Sequence, residues 1–129
     1  MILDTSFLID IMDKEPRAVS KLHQLLARNE PQIITTVTLF EIWSGMSRSS
    51  KPEKEKTKIL SVISSQTIWS LDQEGAQSGG EIDGTLAIQG RPIDPEDCMI
   101  AGMAKSRNQA VLSNDLHFER IKGLLVEHY

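Results

Sequence analysis

The feature that most constrains the fold is an alternation of short apolar runs with longer stretches of helical periodicity. The apolar runs, which predict buried strands, lie at residues 1–3, 33–34, 67–71, 110–112 and 124–127. Between two of them, Leu39, Ile42, Trp43 and Met46 recur at the spacing of a single helix face. Strands that alternate with helices predict an α/β fold: a mostly parallel sheet of about four to five strands, flanked by helices in three layers.

Signals for helix ends support this organisation. A helix over about residues 72–88 is predicted to end at Gly90, because glycine favours the left-handed conformation that often follows a helix. Asp94 and Pro95 predict the start of the next helix, with Asp94 at the N-cap and Pro95 in the first helical position. Ligand sites in such sheets lie beyond the carboxyl ends of the strands, so the residues that follow each strand are the candidates for chemistry.

Length and composition predict one soluble domain. The chain has 129 residues, which suits a single domain over residues 1–129. Its one cysteine, Cys98, excludes an internal disulfide framework and suits a reducing cytoplasm. The apolar start is too short to cross a bilayer, is interrupted by Asp4 and Asp10, and lacks the features of a signal peptide. We therefore expect a cytoplasmic protein with no membrane association.

The charge is unevenly distributed. The net charge of −4 argues against broad, non-specific binding to nucleic acid, which depends on many lysine and arginine contacts to phosphate. Residues 48–58, however, carry five basic and two acidic side chains, which leaves −7 on the rest of the chain. This segment is either a solvated surface stretch or part of an RNA-binding surface on a body whose acidic pocket is neutralised by metal ions.

Four carboxylates are predicted to lie at the carboxyl edge of the sheet. Asp4 follows the first strand, Glu41 lies near the start of the helix after the second, Asp97 is in the first turn of the helix that Pro95 opens, and Asp115 follows the strand at 110–112. Each has a purely structural alternative. Asp4 and Asp115 are acceptable N-caps, and Asp97 is placed to form a capping box with Asp94. Glu41 either completes a capping box with Thr38 or is an exposed helical glutamate.

Taken together, the four acids predict a metal site. Asp97 shares a helix face with Ile100, Ala101 and Ala104, so its carboxylate is expected at the rim of the core. Like charges that converge in one crevice repel unless a cation occupies it. Carboxylates favour a hard divalent cation, Mg²⁺ or Mn²⁺, and such an ion suits hydrolysis of a phosphodiester by activated water.

Four segments in series resemble the PIN-domain family, and within it the VapC-type toxin ribonucleases of VapBC toxin–antitoxin pairs. Residues 3–10, LDTSFLID, look like the LDTxxLID opening, and residues 38–42, TLFEI, are similar to the TLxEL segment. Residues 90–101 resemble the GxPIxxxDxxIAA stretch, and residues 112–118, LSNDLHF, resemble LVTxDxHF. Arg120, Ile121, Gly123 and Leu124 look like the family's ending, so the likeness extends over nearly the whole chain.

The resemblance implies a PIN-like fold and a Mg²⁺- or Mn²⁺-dependent endoribonuclease. It implies a catalytic quartet of Asp4, Glu41, Asp97 and Asp115. Of these, Asp4, Asp97 and Asp115 would hold the metal, with Glu41 and Asp94 as further candidates. The implied partners are an RNA substrate, a second copy of the chain in a homodimer, and a VapB-like antitoxin that supplies a basic side chain to the acidic pocket.

Several polar residues beside the acids are candidate auxiliaries. Ser113 stands where the family more often has threonine, and it retains a hydroxyl that could orient Asp4. Thr5 and Ser6 are candidates for hydrogen bonds to metal-bound waters or to phosphate, with helix initiation as the alternative. Asn114 is a candidate for placing substrate or water, with a turn as the alternative.

Other residues and functions are weighed and set aside. The histidines His23, His117 and His128 show no metal-ligand spacing with one another or with Cys98, and Cys98 is predicted to be a packed thiol. An aspartyl phosphatase would need a second aspartate where Ser6 stands, and a receiver domain would need an acidic pair and a late lysine. A PIN-type nuclease that acts on structured RNA or DNA outside a toxin–antitoxin system, and a non-catalytic PIN binding module, remain the alternatives.

Overall fold

The computed structural model describes all residues from Met1 to Tyr129. The five strands are β1 (Ile2–Leu3), β2 (Ile33–Thr35), β3 (Thr67–Trp69), β4 (Val111–Leu112) and β5 (Val126–Glu127). The six α-helices are α1 (Thr5–Met12), α2 (Pro16–Ala27), α3 (Thr36–Ser47), α4 (Pro52–Ile63), α5 (Gln73–Ile88) and α6 (Pro95–Ser106). A 3-10 helix, Leu116–Arg120, follows β4. The predicted α/β fold is confirmed.

The strands form one parallel sheet in the order β3-β2-β1-β4-β5. The central strand β1 pairs with β2 on one side and with β4 on the other, where Leu3 lies opposite Leu112. The chain moves outward from β1 to β3 and then returns to the opposite side of β1 to form β4. The order therefore reverses between β1 and β4, and ligands bind in the crevice at such a reversal.

Each face of the sheet packs against its own layer of helices. Ile2 and Val111 point into a core shared with α5 and α6, whereas Leu3 and Leu112 point into a core shared with α1, α2 and α4. Successive strand residues face opposite sides, so even a two-residue strand contributes to both cores. Burial on both faces explains why these strands are continuous apolar runs in the sequence.

Glycines allow α5 and α6 to pack at close range. A Cβ atom placed on Gly102 of α6 would lie 2.3 Å from the backbone nitrogen of Gly79 and 2.5 Å from the carbonyl oxygen of Gly75. Both atoms belong to the backbone of α5, and neither can move away without disrupting that helix. Glycine is therefore required at this crossing, which holds α6 and the acids at its first turn against the sheet.

The predicted helix ends are confirmed, and four strands are shorter than predicted. Gly90 has a φ of +69°, and Asp94 and Pro95 occupy the N-cap and the first turn of α6. The strands expected at 1–3, 67–71, 110–112 and 124–127 are shortened to β1, β3, β4 and β5, because they pair only where a neighbouring strand is present. No helix has the length and apolar character needed to cross a membrane.

Candidate active site

Asp4 lies at the centre of the carboxyl edge of the sheet. It directly follows β1, and its backbone N–H donates to the carbonyl of Leu112 on the adjacent β4. Its side chain makes no capping hydrogen bond to α1, so the N-cap alternative does not account for the carboxylate. Instead, Oδ2 of Asp4 accepts hydrogen bonds of 2.7 Å from the hydroxyls of both Ser6 and Ser113. The carboxylate is 4% exposed and fixed in one orientation.

Ser113 connects the ends of β1 and β4. Its hydroxyl is fully buried and donates to Asp4, and the same oxygen accepts from the backbone N–H of Asp115 at 2.9 Å. The predicted contact between Ser113 and Asp4 is therefore present. Asp115 does cap the 3-10 helix, because Oδ1 accepts from the N–H of His117 at 2.9 Å. The capping role and a role in the acidic cluster are both compatible with this geometry.

Glu41 is held by a set of threonine hydroxyls. Its Oε1 accepts a 2.7 Å hydrogen bond from Thr5, whose hydroxyl also lies 3.4 Å from that of Thr38. The capping box that Thr38 could have made with Glu41 does not form, because Thr35 caps α3 and accepts from the N–H of Thr38. Thr35 and Thr38 are both fully buried, and sequence reasoning did not identify either as support for the site.

Asp97 is affected both by burial and by the negative charge of the neighbouring acids. As predicted, it is half-buried on the face of α6 that carries the fully buried Ile100 and Ala101. Burial, together with the charges of Asp4, Glu41 and Asp115, raises the pKa of the Asp97 carboxyl to about 7. The structure therefore brings all four predicted acids together at one edge.

Two further acids, Asp94 and Glu96, add to the negative charge around Glu41. Burial raises the pKa of Glu41, with additional repulsion from Asp4, Glu96 and Asp94, while the hydrogen bond from Thr5 opposes the rise. Asp94, which makes no side-chain capping bond, is thus close enough to act on the cluster. Glu96 was not identified from the sequence, because it differs from a surface glutamate only through its position in the fold.

No lysine or arginine compensates the four acids. None of their carboxylates forms an ion pair with a lysine or arginine, and the only ion-pair contact is between Asp115 Oδ1 and His117 Nδ1 at 3.3 Å. Oxygen donors that converge without a cationic side chain fit a hard divalent cation. The residues present therefore fit the metal that the sequence predicts.

His117 belongs to this site, although the sequence interpretation set it aside. One ligand atom each from Asp97, Asp115 and His117 lies within 4.8 Å of the others. The spacing from Asp115 to His117 is only two residues and matches no familiar ligand pattern. The 3-10 turn, which begins at Leu116, is what directs both side chains toward α6.

Asn114 has a different set of contacts from the acids. Its side chain donates to the backbone carbonyl of Tyr129 and accepts from the N–H of the same residue, at 2.8 and 2.9 Å. The hydroxyl of Tyr129 in turn donates to Asp10 at 2.6 Å. Asn114 therefore fastens the segment after β5 beside the site.

The chain is similar to known proteins over nearly its whole length. The sequence model of the family described as PIN domain matches residues 1–124. The chain is 34% identical to a protein of Shigella flexneri named tRNA(fMet)-specific endonuclease VapC, over 99% of this chain and 96% of that protein.

Two solved complexes share the fold throughout. The DNA-bound VapBC structure from Salmonella typhimurium superposes with a TM-score of 0.88 at 32% identity, covering 98% of this chain and 96% of that chain. VapBC2 from Rickettsia felis, bound to a DNA fragment from its promoter, gives a TM-score of 0.88 at 28% identity with the same coverage.

Proposed function

The chain belongs to the PIN-domain family, and from this membership and the acidic site we propose that it is a metal-dependent endoribonuclease acting as the toxin of a toxin–antitoxin pair. The observation that carries the proposal is the convergence of Asp4, Glu41, Asp97 and Asp115 with no lysine or arginine to neutralise them. The relative in Shigella flexneri is named as an RNA endonuclease, and the solved neighbours are toxin–antitoxin complexes. The extent of the domain, residues 1–129, and the cytoplasmic location remain predictions.

We assign the metal to Asp4, Asp97 and Asp115, with Glu41 and Asp94 as further candidates and Mg²⁺ or Mn²⁺ as the ion. When bound, such an ion lowers the pKa of water and neutralises charge on the phosphate and leaving oxygen. The carboxylate of Asp4 is oriented before an ion binds, since Ser6 and Ser113 donate hydrogen bonds of 2.7 Å to it. This preorganisation spares the site the cost of ordering its ligands.

The two half-buried acids, Asp97 and Glu41, take different roles in this proposal. The raised pKa of Asp97, about 7, is that of the site without a metal, and a bound divalent cation lowers it and keeps Asp97 as a carboxylate ligand. Glu41 shares its position at the rim and is oriented by Thr5, which leaves its second oxygen able to accept a proton from an attacking water. The structure supports Thr5, Ser6 and Ser113 as auxiliaries that position acids, and Asn114 as one that positions the segment at Tyr129.

The direct test is cleavage of a defined RNA by the purified protein. A labelled tRNA(fMet), the substrate named for the Shigella flexneri relative, and an unrelated single-stranded RNA are incubated with Mg²⁺, with Mn²⁺ and with excess chelator. We expect cleavage only when a divalent ion is present, and loss of cleavage in Asp97→Asn prepared in parallel. Cleavage of a matched DNA, or equal cleavage by the variant, would contradict the assignment.

An acidic cleft beside the site is suited to a basic antitoxin segment. The cleft has a volume of about 390 Å³, contains the carboxylates of Asp13, Glu41 and Glu55, and has apolar walls from Ile9, Met12, Ile42, Met46 and Ile59. No basic residue lines it. An amphipathic partner helix could bury apolar side chains there and direct an arginine to Glu41, which would replace the cation and block phosphate.

Co-expression tests this part of the proposal. We expect the chain and the product of the adjacent small reading frame to purify as one complex whose RNA cleavage is suppressed. Glu55→Lys, which reverses a charge in the cleft without touching the four acids, should weaken the complex and release activity. A chain that purifies alone, active and harmless to its host, would contradict the toxin role and leave the nuclease intact.

A homodimer is supported by an exposed apolar surface on α3 and α6. Phe40 is 65% exposed, and it lines a shallow cleft with Val37, Leu71 and Met99. An aromatic side chain so exposed beside other apolar residues is typical of an interface. We expect a dimer in sedimentation equilibrium and a monomer for Phe40→Asp.

A further inference from the structure

A second cleft opens at the same edge of the sheet, on the side of β5 and α2. It has a volume of about 380 Å³, and its polar walls come from Arg17, Ser20, Lys21, Gln24, His128 and Tyr129. No acidic residue lines it. The acidic cleft on the other side of the site shows the opposite pattern, with three carboxylates and no basic residue.

This basic cleft is physically connected to the acidic cluster. Tyr129, which forms one wall, exchanges two backbone hydrogen bonds with the side chain of Asn114, the neighbour of Asp115. His128, on the same wall, lies 2.7 Å through Nδ1 from the carbonyl of Ser113, the residue that orients Asp4. These contacts place the cleft beside the acidic cluster, so a substrate strand that crosses the acids can enter it.

The cations of the cleft differ in how they are held. Lys21 is largely buried, with its side chain 12% exposed, and it is ion-paired to Glu127, which also pairs with Arg28. The Arg17 side chain forms no ion pair and is exposed at the mouth. Arg17 is thus a free guanidinium, able to make paired hydrogen bonds to a phosphate.

We propose that this cleft binds a phosphate and nucleotide of single-stranded RNA flanking the scissile bond. The inference rests on the proposed nuclease function and adds to it the path that the substrate strand follows over the surface. RNA is a polyanion, and of the two clefts that flank the acids only this one offers cations and polar donors. The substrate strand then crosses the acids and leaves over α2, while the acidic cleft stays open to a cationic partner.

The test compares two charge reversals that change the net charge equally. Arg17→Glu removes the free cation of the cleft, and Lys122→Glu reverses an exposed cation in the loop before β5 that lines a separate cleft against α5. Binding of a short labelled single-stranded RNA is measured by fluorescence anisotropy over a range of salt concentrations, with every protein in an Asp97→Asn background. Steady-state cleavage is measured with the otherwise unaltered proteins, and melting temperatures confirm that each one folds.

We expect Arg17→Glu to weaken RNA binding by about tenfold or more and to lower the salt slope by about 0.7, the value for one phosphate contact with a single strand. In cleavage, KM should rise while kcat changes little. Lys122→Glu should behave as the parent. Equal effects of the two reversals, or none from Arg17→Glu, would overturn the inference even where the parent protein cleaves RNA. A parent that binds RNA in this way but cleaves none would contradict the nuclease function alone.

Discussion

The hydroxyl of Ser113 lies 2.7 Å from Oδ2 of Asp4, although 109 positions separate the two residues in the chain. The contact exists because β1 and β4 are neighbours in the sheet and end together, with Leu3 opposite Leu112. A second bond of the same length comes from Ser6, so two hydroxyls, one local and one distant, hold a single carboxylate oxygen. The orientation of the most buried acid is thus set by strand pairing.

Removal of the Ser113 hydroxyl should damage activity more than removal of the Ser6 hydroxyl. Ser113→Ala withdraws a fully buried donor from Asp4 and an acceptor from the N–H of Asp115, which costs roughly 1–3 kcal/mol of stability. We expect cleavage to fall about 10- to 100-fold, as for other residues that orient metal ligands. Ser6 is exposed, so Ser6→Ala should cost less.

Ser113→Thr is the matched control. It keeps the hydroxyl and corresponds to the residue more frequent in the resembling family, so activity should stay near that of the parent. Denaturant midpoints and initial rates are the measurements. If Ser113→Ala and Ser113→Thr lose activity equally, side-chain volume and not the hydrogen bond controls the site.

The stability of the metal-free protein should decrease as pH rises from about 4 to about 7. Unfolded Asp97 releases its proton near pH 4, whereas folded Asp97 holds it until about pH 7, so the folded state binds more protons in this window. The stabilisation is complete below about pH 4 and is lost above about pH 7. Because Asp97 is partly exposed, we expect a change on the order of 1–2 kcal/mol.

Urea unfolding in excess chelator, repeated across this pH range, measures the effect. Asp97→Asn should lose the part of the pH dependence that belongs to this carboxyl and should be more stable than the parent at pH 8. Addition of Mg²⁺ should stabilise the parent more than the variant at that pH, because the ion offsets the repulsion. A parent and variant with parallel pH profiles would show that neither burial nor the neighbouring carboxylates raise the pKa of Asp97.

Much of the fold and site could be predicted from local signals. Short apolar runs placed Asp4 and Asp115 after strands, and Asp94 with Pro95 placed Asp97 in the first turn of α6. These signals depend only on residues that are close together in the sequence, so contacts between distant elements do not change them. The number and order of the acids along the chain therefore carried most of the information about chemistry.

The remainder depended on contacts between distant elements. A capping box between Thr38 and Glu41 was the structural alternative for this acid, but α3 begins at Thr36 with Thr35 as its cap, and this leaves Glu41 free to accept from Thr5. The position of His117 depended on a 3-10 turn. Neither arrangement has a distinctive pattern in the sequence, since each is decided by where one element packs against another.

The crossing of α5 and α6 should tolerate no side chain at Gly102. Gly102→Ala places a Cβ within 2.3 Å of the Gly79 backbone nitrogen, and backbone cannot shift as a flexible side chain can. We expect a loss of roughly 3 kcal/mol or more, or failure to fold. Gly80→Ala is the matched control on α5, where a Cβ meets nothing within 4 Å, and it should stabilise the helix by about 0.5–1 kcal/mol. Thermal melts in which both variants behave alike would contradict this packing.

His117 should alter which metals the site prefers. Its imidazole lies within 4.8 Å of ligand oxygens from Asp97 and Asp115, so the site offers nitrogen as well as oxygen. Imidazole is a good ligand for Zn²⁺, whereas Mg²⁺ favours oxygen and water. We expect His117→Ala to lower the affinity for Zn²⁺ by roughly tenfold or more and the affinity for Mg²⁺ by less than about twofold.

Calorimetric titration of each ion into the parent and variant measures these affinities independently of cleavage. His23→Ala removes an exposed histidine on α2, outside the acidic cluster, and serves as the control for general binding of Zn²⁺ to surface imidazoles. A fall in Zn²⁺ affinity in His117→Ala alone would identify the imidazole as a ligand. If Zn²⁺ and Mg²⁺ affinities decrease together, His117 acts only by positioning Asp115, to which its Nδ1 lies at 3.3 Å.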